Sequence, residues 1–379
     1  MTEVYIIEAT RTPVGKRNGA LRDVHPVALG AMALREVVRR AGIDPSVIED
    51  VIMGCVTQAD EQGYNIARNA ALLAGLPLEV PATTVDRQCG SAQQAVHFAA
   101  ALIGSGACDV VVAGGVESMT RVPMGSSVMH GNPIPPALSE MYPLTNQGIA
   151  AERIAEQWGI SRAQMEALAL ESHTRAHAAQ SAGYFDREIV PVPLADGTSF
   201  TRDEGIRPGG TAEQLAMLKP AFLPEGRITA ATSSQISDGA AALVLASERA
   251  IRQYNLTPRA RVVAHRVVGS DPVLMLTGPI SATRKVLADA DLTLADIDLI
   301  EINEAFASVV LAWQHETKAD MTRVNVSGGA MALGHPLGAT GARLLTTLLH
   351  ELERRGVRYG LQTMCCGGGL GTGLIIERV

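Results

Sequence analysis

Aromatic residues are scarce in this 379-residue chain: Phe, Trp and Tyr together make up 3% of it. A formal charge of −7 goes with that scarcity. Together they exclude a nucleic-acid surface built from stacking rings and a basic stripe, and they argue against binding to anionic membranes. A phosphate-bearing small ligand is still open, because a few local Arg or Lys residues can hold a phosphate whatever the net charge. No apolar run reaches the roughly 18 residues expected of a membrane-spanning helix. The start, MTEVYIIEATRTPVGKR, lacks the basic and apolar pattern of a secretory signal, so a cytoplasmic location is expected. Cysteines are few, at positions 55, 89, 108, 365 and 366. An odd count with two adjacent suits a reduced protein better than a disulfide framework, and the spacing is not that of a zinc site.

What is present is 47% hydrophobic residues, enough for a large core and two or three domains. Residues 1–117 alternate β-prone and helical runs: 4–8, a helix over 26–41, 50–55, a helix over 65–74, a strand at 82–85, a helix over 92–103 and a strand over 110–113. That alternation predicts an α/β protein with parallel strands. Gly114 and Gly115 are expected to end the last strand. From 119 to 147 prolines and methionines dominate and no regular element is expected; its methionines could line an adaptable apolar pocket. Helices follow at 150–158 and 162–181. His173 and His177 lie one turn apart in the second, but no acidic residue stands between them, and no metal site is expected. The polar segment 201–232 carries Arg202, Arg207, Lys219 and Arg227, balanced by Asp203, Glu204, Glu213 and Glu225; on charge alone it reads as solvated surface.

The last 120 or so residues repeat the logic of the first 117. DIDLIEIN at 296–303 parallels EDVIMGC at 49–55, and the stretch 325–373 parallels 85–115. An internal duplication follows, with the glycine-rich strand ends of the two halves converging.

Four places carry possible chemistry. Cys89 stands between a strand and a helix in VDRQCGSAQQAV, where helix N–H groups and the helix dipole favour a thiolate and a depressed pKa. A cysteine beside an Ala-rich helix is also, and more often, a small buried hydrophobe. Asn303 in NEAF could position a water or an oxyanion, or simply cap a turn. His335 in GHPLGATG could be a general base or a surface turn histidine. Cys365-Cys366-Gly367-Gly368-Gly369 sets thiols beside bare backbone N–H groups, and either cysteine could be the reactive one. These glycines lack the GxGxxG spacing of a dinucleotide site, and ten residues after Gly369 are too few for a crossover helix and a strand.

Taken together, CGSAQQAV, EINEAFA, NVSGGAMALGHPLGATGARL and CCGGG resemble the thiolases, the acetyl-CoA acyltransferases, over essentially the whole length, and look closest to bacterial degradative 3-ketoacyl-CoA thiolases, including those of steroid catabolism. The resemblance implies the thiolase fold: two duplicated βαβαβαββ halves in an αβαβα arrangement, one from 1–117 plus 237–259 and one from 260–379, with a loop domain at 118–236. It implies thiolysis of a 3-ketoacyl-CoA by CoA to acetyl-CoA and an acyl-CoA two carbons shorter. Cys89 would carry the acyl group, His335 would take its proton, and Cys365 would protonate the acetyl-CoA enolate. His335 and a water on Asn303 would meet the enolate oxygen; the N–H groups of Cys89 and Gly367 would meet the tetrahedral oxygen. Cys366 falls at a variable position and gets no role.

By the same resemblance Arg207 and Ser234 contact CoA, although Gln235 stands where many members have glycine. CoA enters as a substrate, with no permanently bound cofactor. A homo-oligomer, dimer or tetramer, is implied. Asn146-Gln147 replaces the His-Met of thiolases tuned to acetoacetyl-CoA, which points to a longer or bulkier acyl group. The alternatives are a biosynthetic acetyltransferase running in the condensation direction and a non-catalytic CoA-binding relative. The latter is expected to have lost one of Cys89, Asn303, His335 or Cys365, and all four are present.

Overall fold

A computed structural model describes residues 2–379. The first half begins with β1 (Val4–Arg11) and α1 (Pro26–Ala41), followed by β2 (Asp50–Gly54), α2 (Ile66–Ala74), β3 (Ala82–Val85), α3 (Ser91–Gly104) and β4 (Val110–Ser118). Local chemistry sets the helix ends. Pro26 sits in the first turn of α1 and Gly42 closes it at φ +65°, where a Cβ would be strained. The Asn65 side chain caps α2 by accepting from the Arg68 N–H.

A long excursion follows. It contains α4 (Gln147–Gln157) and α5 (Arg162–Ser181), the latter held by a capping box between Ser161 and Gln164. The chain then returns to the first half as β5 (Ser237–Ser247). The second half is built from β6 (Ala260–Gly269), α6 (Gly278–Asp289), β7 (Leu299–Ile302), α7 (Ala307–Thr317), α8 (Thr340–Arg355), β8 (Tyr359–Cys366) and β9 (Leu370–Arg378).

The first half orders its strands β3-β2-β4-β5-β1, with β3, β2 and β4 parallel and β5 antiparallel to both neighbours. The second half orders them β7-β8-β9-β6, and Val324 makes a single parallel bridge to Ile300 where the first half has β3. Strand for strand the two halves match. They join where β1 and β6 pair antiparallel at Tyr5–Arg261 and Ile6–Ala260. Three apolar clusters separate the layers: α1 and α2 against the outer face of the first half, α3 and α8 between the halves, and α6 and α7 against the outer face of the second. This is an αβαβα arrangement, with the two central helices facing each other.

Three expectations need correction. Gly114 and Gly115 do not end β4, which continues to Ser118. Glycine is required there for space, since a Cβ on Gly115 would lie 2.0 Å from the Gly338 carbonyl oxygen. The segment 119–147 is not wholly irregular: Ser126–Val128 forms one 3₁₀ turn and Pro136–Met141 a short helix started by its proline. Asp203 is not on a solvated surface. It is buried and accepts Arg11 Nη1 at 2.7 Å, Arg11 Nη2 at 2.9 Å and the Val14 N–H at 2.8 Å. Arg11 also donates to Glu188 at 2.6 Å, so the excursion is pinned to β1 by a buried charge cluster.

Candidate active site

Cys89 sits on a tight turn ahead of α3. Gln88 takes φ +51°, and the Ser91 hydroxyl staples the turn by donating to the Gln88 carbonyl at 2.6 Å while accepting the Arg87 N–H at 2.8 Å. Gly90 must lack a side chain, because a Cβ there would lie 2.6 Å from Cys366 Sγ. The Cys89 thiol is buried with Met119, Leu337, Leu344 and Met364. That surrounding overturns the expectation of a depressed pKa. Burial pushes the thiol up to about 11, against the opposing pull of two N–H donors, those of Gly367 and of Cys89 itself. The helix N-terminus is where it was expected, but the low-dielectric packing outweighs it.

Cys365, next to last in β8, is fully buried, and burial together with its neighbours Cys89 and Cys366 holds its thiol well above the ordinary range. Cys366 is likewise buried and pushed up, and its sulfur accepts the Gly90 N–H. The three thiols therefore lie close enough for the charge of one to act on the others. The antiparallel return of β9 aims the β8 end here, with Cys365 opposite Gly371.

His335 forms a second group. Its Nδ1 lies 2.6 Å from Thr340 Oγ1, and because that hydroxyl donates to the Pro336 carbonyl at 2.8 Å, it accepts the Nδ1–H. The Nε2 lone pair is left to face Asn303 Nδ2 at 3.3 Å. Burial first, then the Arg343 charge, push the imidazole down to about 3, so it is neutral at neutral pH. Asn303 is fully buried, and its Oδ1 has no protein partner. The neighbouring Glu304 carboxylate fixes the loop by accepting the Ser172 hydroxyl at 2.7 Å, Asn325 Nδ2 at 3.0 Å and the Met331 N–H at 3.1 Å.

The two groups adjoin through Leu337, two residues after His335, which packs in the Cys89 cluster. Among the described residues no hydrogen bond joins Cys89 to His335. Glu117, near the end of β4, ties the halves together. Its carboxylate accepts the N–H groups of Val56 at 2.9 Å, Thr57 at 3.0 Å and Gly338 at 2.8 Å. Glu117 and Thr340 were not singled out from the sequence. Only contacts across the halves mark them, although a threonine five residues after a candidate base is a usable local signal.

A cavity of about 940 Å³ adjoins this centre and is lined by Arg207, Ser234, Lys16, Arg17, His173 and Phe222 among others. Arg207 is exposed at its mouth, and its N–H donates to His173 Nδ1 at 3.1 Å, so His173 orders the loop that carries Arg207. Gln235 lines this space as well. Its amide donates to the carbonyls of Gly205 at 3.0 Å, Met331 at 2.7 Å and Ala332 at 3.1 Å. Arg227 donates to Ala155 and Ile160 carbonyls and is structural. No group of three or more His, Cys, Asp or Glu suited to a metal occurs among the described residues, and no helix there is long and apolar enough to cross a membrane.

The chemistry available is that of a buried thiol with two N–H donors at its sulfur, a second thiol beside it, and a neutral imidazole whose basic nitrogen meets a carboxamide. Comparison with known proteins agrees. Residues 4–249 match the model "Thiolase, N-terminal domain" and residues 256–378 match "Thiolase, C-terminal domain". The chain is 52% identical to the steroid 3-ketoacyl-CoA thiolase FadA6 of Mycobacterium tuberculosis, over 100% of this chain and 95% of that one. It is 46% identical to the 3-ketoacyl-CoA thiolase of Cronobacter sakazakii, over 100% of both. The acetyl-CoA acetyltransferase of Bacillus anthracis superposes with a TM-score of 0.93 at 43% identity, covering 100% of this chain and 99% of that one.

Proposed function

The chain belongs to the thiolase family and is an acyltransferase that cleaves 3-ketoacyl-CoA with CoA; we propose that Cys89, His335, Cys365, Asn303 and Gly367 carry the reaction. His335 Nε2 takes the Cys89 proton, and the sulfur attacks the 3-keto carbon. The negative oxygen is met by the N–H groups of Cys89 and Gly367, the two donors that already face the sulfur. The bond between carbons 2 and 3 breaks, its electron pair goes to carbon 2 as the acetyl-CoA enolate, and the Cys365 S–H protonates that carbon. The Asn303–His335 pair holds the enolate oxygen, with the unpartnered Asn303 Oδ1 suited to orient a water.

The acyl group now rests on Cys89 as a thioester. Incoming CoA gives its proton to the Cys365 thiolate and attacks the acyl carbon. The shortened acyl-CoA leaves, and Cys89 recovers the proton held on His335. Because the resting thiol sits near pKa 11, the thiolate is made when it is needed rather than stored.

The observation that most supports this reading is the pair of N–H donors at Cys89 Sγ beside the buried Cys365 thiol. The cavity with Arg207 and Ser234 suits the CoA end of the substrate. A longer or bulkier acyl group is favoured by Asn146, which caps α4 instead of presenting a histidine, and by the exposed Met124, Met129 and Met141 of the neighbouring loop. The names of the relatives, one steroid-directed, point the same way. The free edge of β3 close to exposed Leu72, Leu78 and Phe98 supports a homo-oligomer, and five free thiols support a reducing, cytoplasmic setting.

Mass spectrometry after mixing with a panel of 3-ketoacyl-CoAs tests the reading. An acyl adduct on Cys89, strongest with bulky chains, is expected. No adduct with any of them, together with a Cys89→Ser variant that matches wild type in thiolysis, overturns it.

A further inference from the structure

The segment 233–237 touches both sides of the proposed site. The Ser234 N–H donates to the Ala305 carbonyl at 2.9 Å, just after Asn303, and the Gln235 carbonyl accepts the His335 N–H at 3.2 Å. Ser233, Ser234 and Gln235 also form part of the wall of the 940 Å³ cavity. The Gln235 side chain adds a further link. Its amide nitrogen meets three carbonyl oxygens, those of Gly205 at 3.0 Å, Met331 at 2.7 Å and Ala332 at 3.1 Å. With only acceptors around it, this end of the amide must be the NH₂, and its two hydrogens are shared among the three oxygens. Gly205 leaves the room for it: a Cβ there would lie 2.7 Å from both Gln235 Oε1 and the Ala332 carbonyl oxygen.

These bonds join two loops of different function. Gly205 stands two residues before Arg207, at the mouth of the cavity. Met331 and Ala332 belong to the short helix Ala330–Leu333, which Gly334, at φ +100°, turns directly into His335. The other hydrogen bonds of the Arg207 loop run elsewhere: Asp203 to Arg11, the Glu204 N–H to the Val14 carbonyl at 3.0 Å, and the Arg207 N–H to His173. Ile206 packs against the apolar cluster that includes Ala332 and Leu333, but such contact is non-directional and does not set a register. Among the described residues the Gln235 amide is therefore the only hydrogen-bonded link between 205–207 and the turn that carries His335.

We propose that Gln235 is a positioning residue: its amide holds the Arg207 loop in register with the His335 turn, so that contacts made by the remote nucleotide end of CoA help to place the 3-keto carbon at Cys89. This rests on the reading of Arg207 as a CoA contact and of Cys89 and His335 as the reactive pair. Contacts far from the reacting bond speed the chemistry only when the frame between them and that bond is rigid. Removing the amide leaves the Gln235 carbonyl on the His335 N–H, so the base keeps its own anchor while the register between the two loops is lost.

The test is the rate of Cys89 acylation, followed by protein mass, with a 3-ketoacyl-CoA and with the N-acetylcysteamine thioester of the same acid, which lacks the nucleotide end. Wild type, Gln235→Met, Gln235→Gly and Arg207→Ala are compared. In Gln235→Met the advantage of the CoA substrate over the short thioester is expected to shrink about tenfold, while the short-thioester rate stays within about twofold of wild type. Gln235→Gly removes the amide without leaving a long side chain in the cavity; it should shrink the advantage equally and decides the matter if the Met variant does not fold. Equal losses on both substrates make Gln235 a packing residue and overturn the proposal, as does an unchanged advantage. Arg207→Ala separates the two readings. If it shrinks the advantage while the Gln235 variants keep it, only this inference is wrong; if it leaves the advantage intact, the assignment of Arg207 to CoA is wrong and the proposal goes with it.

Discussion

The two halves of the molecule share one frame and divide the chemistry unequally. In both, a strand end stands beside the N-terminus of a central helix: β2 and α3 in the first half, β7 and α8 in the second. Yet the residue after β2 is Cys55, an apolar buried thiol whose Cα would be 2.6 Å from a Cβ on Gly338, while the residue in the matching place after β7 is Asn303, bonded to His335. The strand ends diverge as well: β4 closes near the Glu117 carboxylate, which ties loops together, and β8 closes on Cys365 and Cys366. Duplication supplied two equivalent places for each function. At both pairs of strand ends the two halves now hold different side chains, Cys55 against Asn303 and Glu117 against Cys365 and Cys366, and the proposed site lies where the halves meet.

The largest expected effects exchange members of this comparison. Cys89→Ala should abolish acyl-enzyme formation and lower turnover by at least about 1000-fold, because no nucleophile is left to accept the acyl group. Cys55→Ala, a cysteine of the same half, should leave kcat within about threefold and cost about 1 kcal/mol in stability for the small cavity. Equal losses in both, measured by adduct mass and steady-state rate, would mean that the fold and not the thiol was being tested.

Asn303→Ala should lower kcat by about 100- to 1000-fold with KM little changed, as for loss of an oxyanion partner. Its effect should persist with slow and fast acyl chains alike. A change confined to KM would place Asn303 in binding instead.

The acidity of Cys89 marks how far the sequence could be read. Helices such as α1, α2 and α5 were legible because caps and glycines write their ends locally. The duplicated order of elements was legible too, as were the four motifs that meet at the site. Illegible were the properties created by contact between halves: the packing of Leu344 and Met364 around Cys89, the Thr340 hydroxyl behind His335, and the reach of Glu117 to Gly338. From the local turn alone the thiol looks acidic, and the far half reverses that. Alkylation of the free enzyme by iodoacetamide should accordingly rise about tenfold per pH unit from pH 7 to 10, since the thiolate fraction grows in that proportion below a pKa of about 11. A plateau below pH 8 would reveal a stored thiolate–imidazolium pair. For stability the sign is the reverse: a thiol with a raised folded pKa stabilises the fold fully below its ordinary pKa and loses that contribution as pH climbs through about 11.

The seam between the halves can be probed with a single methyl group. Gly338→Ala places a Cβ 2.6 Å from Cys55 Cα and 2.7 Å from Glu117 Oε2, contacts the backbone cannot relieve cheaply. A loss of about 3 kcal/mol in urea unfolding is expected. Gly104→Ala at the end of α3 meets nothing nearer than the Thr2 carbonyl at 3.9 Å, so the same methyl there should be neutral or stabilise by about 0.5 kcal/mol. If the two variants unfold alike, the close approach of the halves is not what holds the seam.

The smallest effect tests what the second half adds to its own base. Thr340→Val preserves shape at a fully buried position but removes the acceptor of the His335 Nδ1–H. With that partner gone, the tautomer carrying its proton on Nε2 becomes competitive, and in that form the nitrogen facing the substrate can no longer accept a proton. The substitution removes two buried hydrogen bonds, each worth about 1 kcal/mol, so kcat/KM should fall about tenfold and the unfolding midpoint should drop as well. Thr340→Ser, which keeps the hydroxyl, should recover most of the rate. A Thr340→Val enzyme as fast as wild type would show that Asn303 alone orients the imidazole. The division of labour between the halves would then end at the side chains that touch substrate.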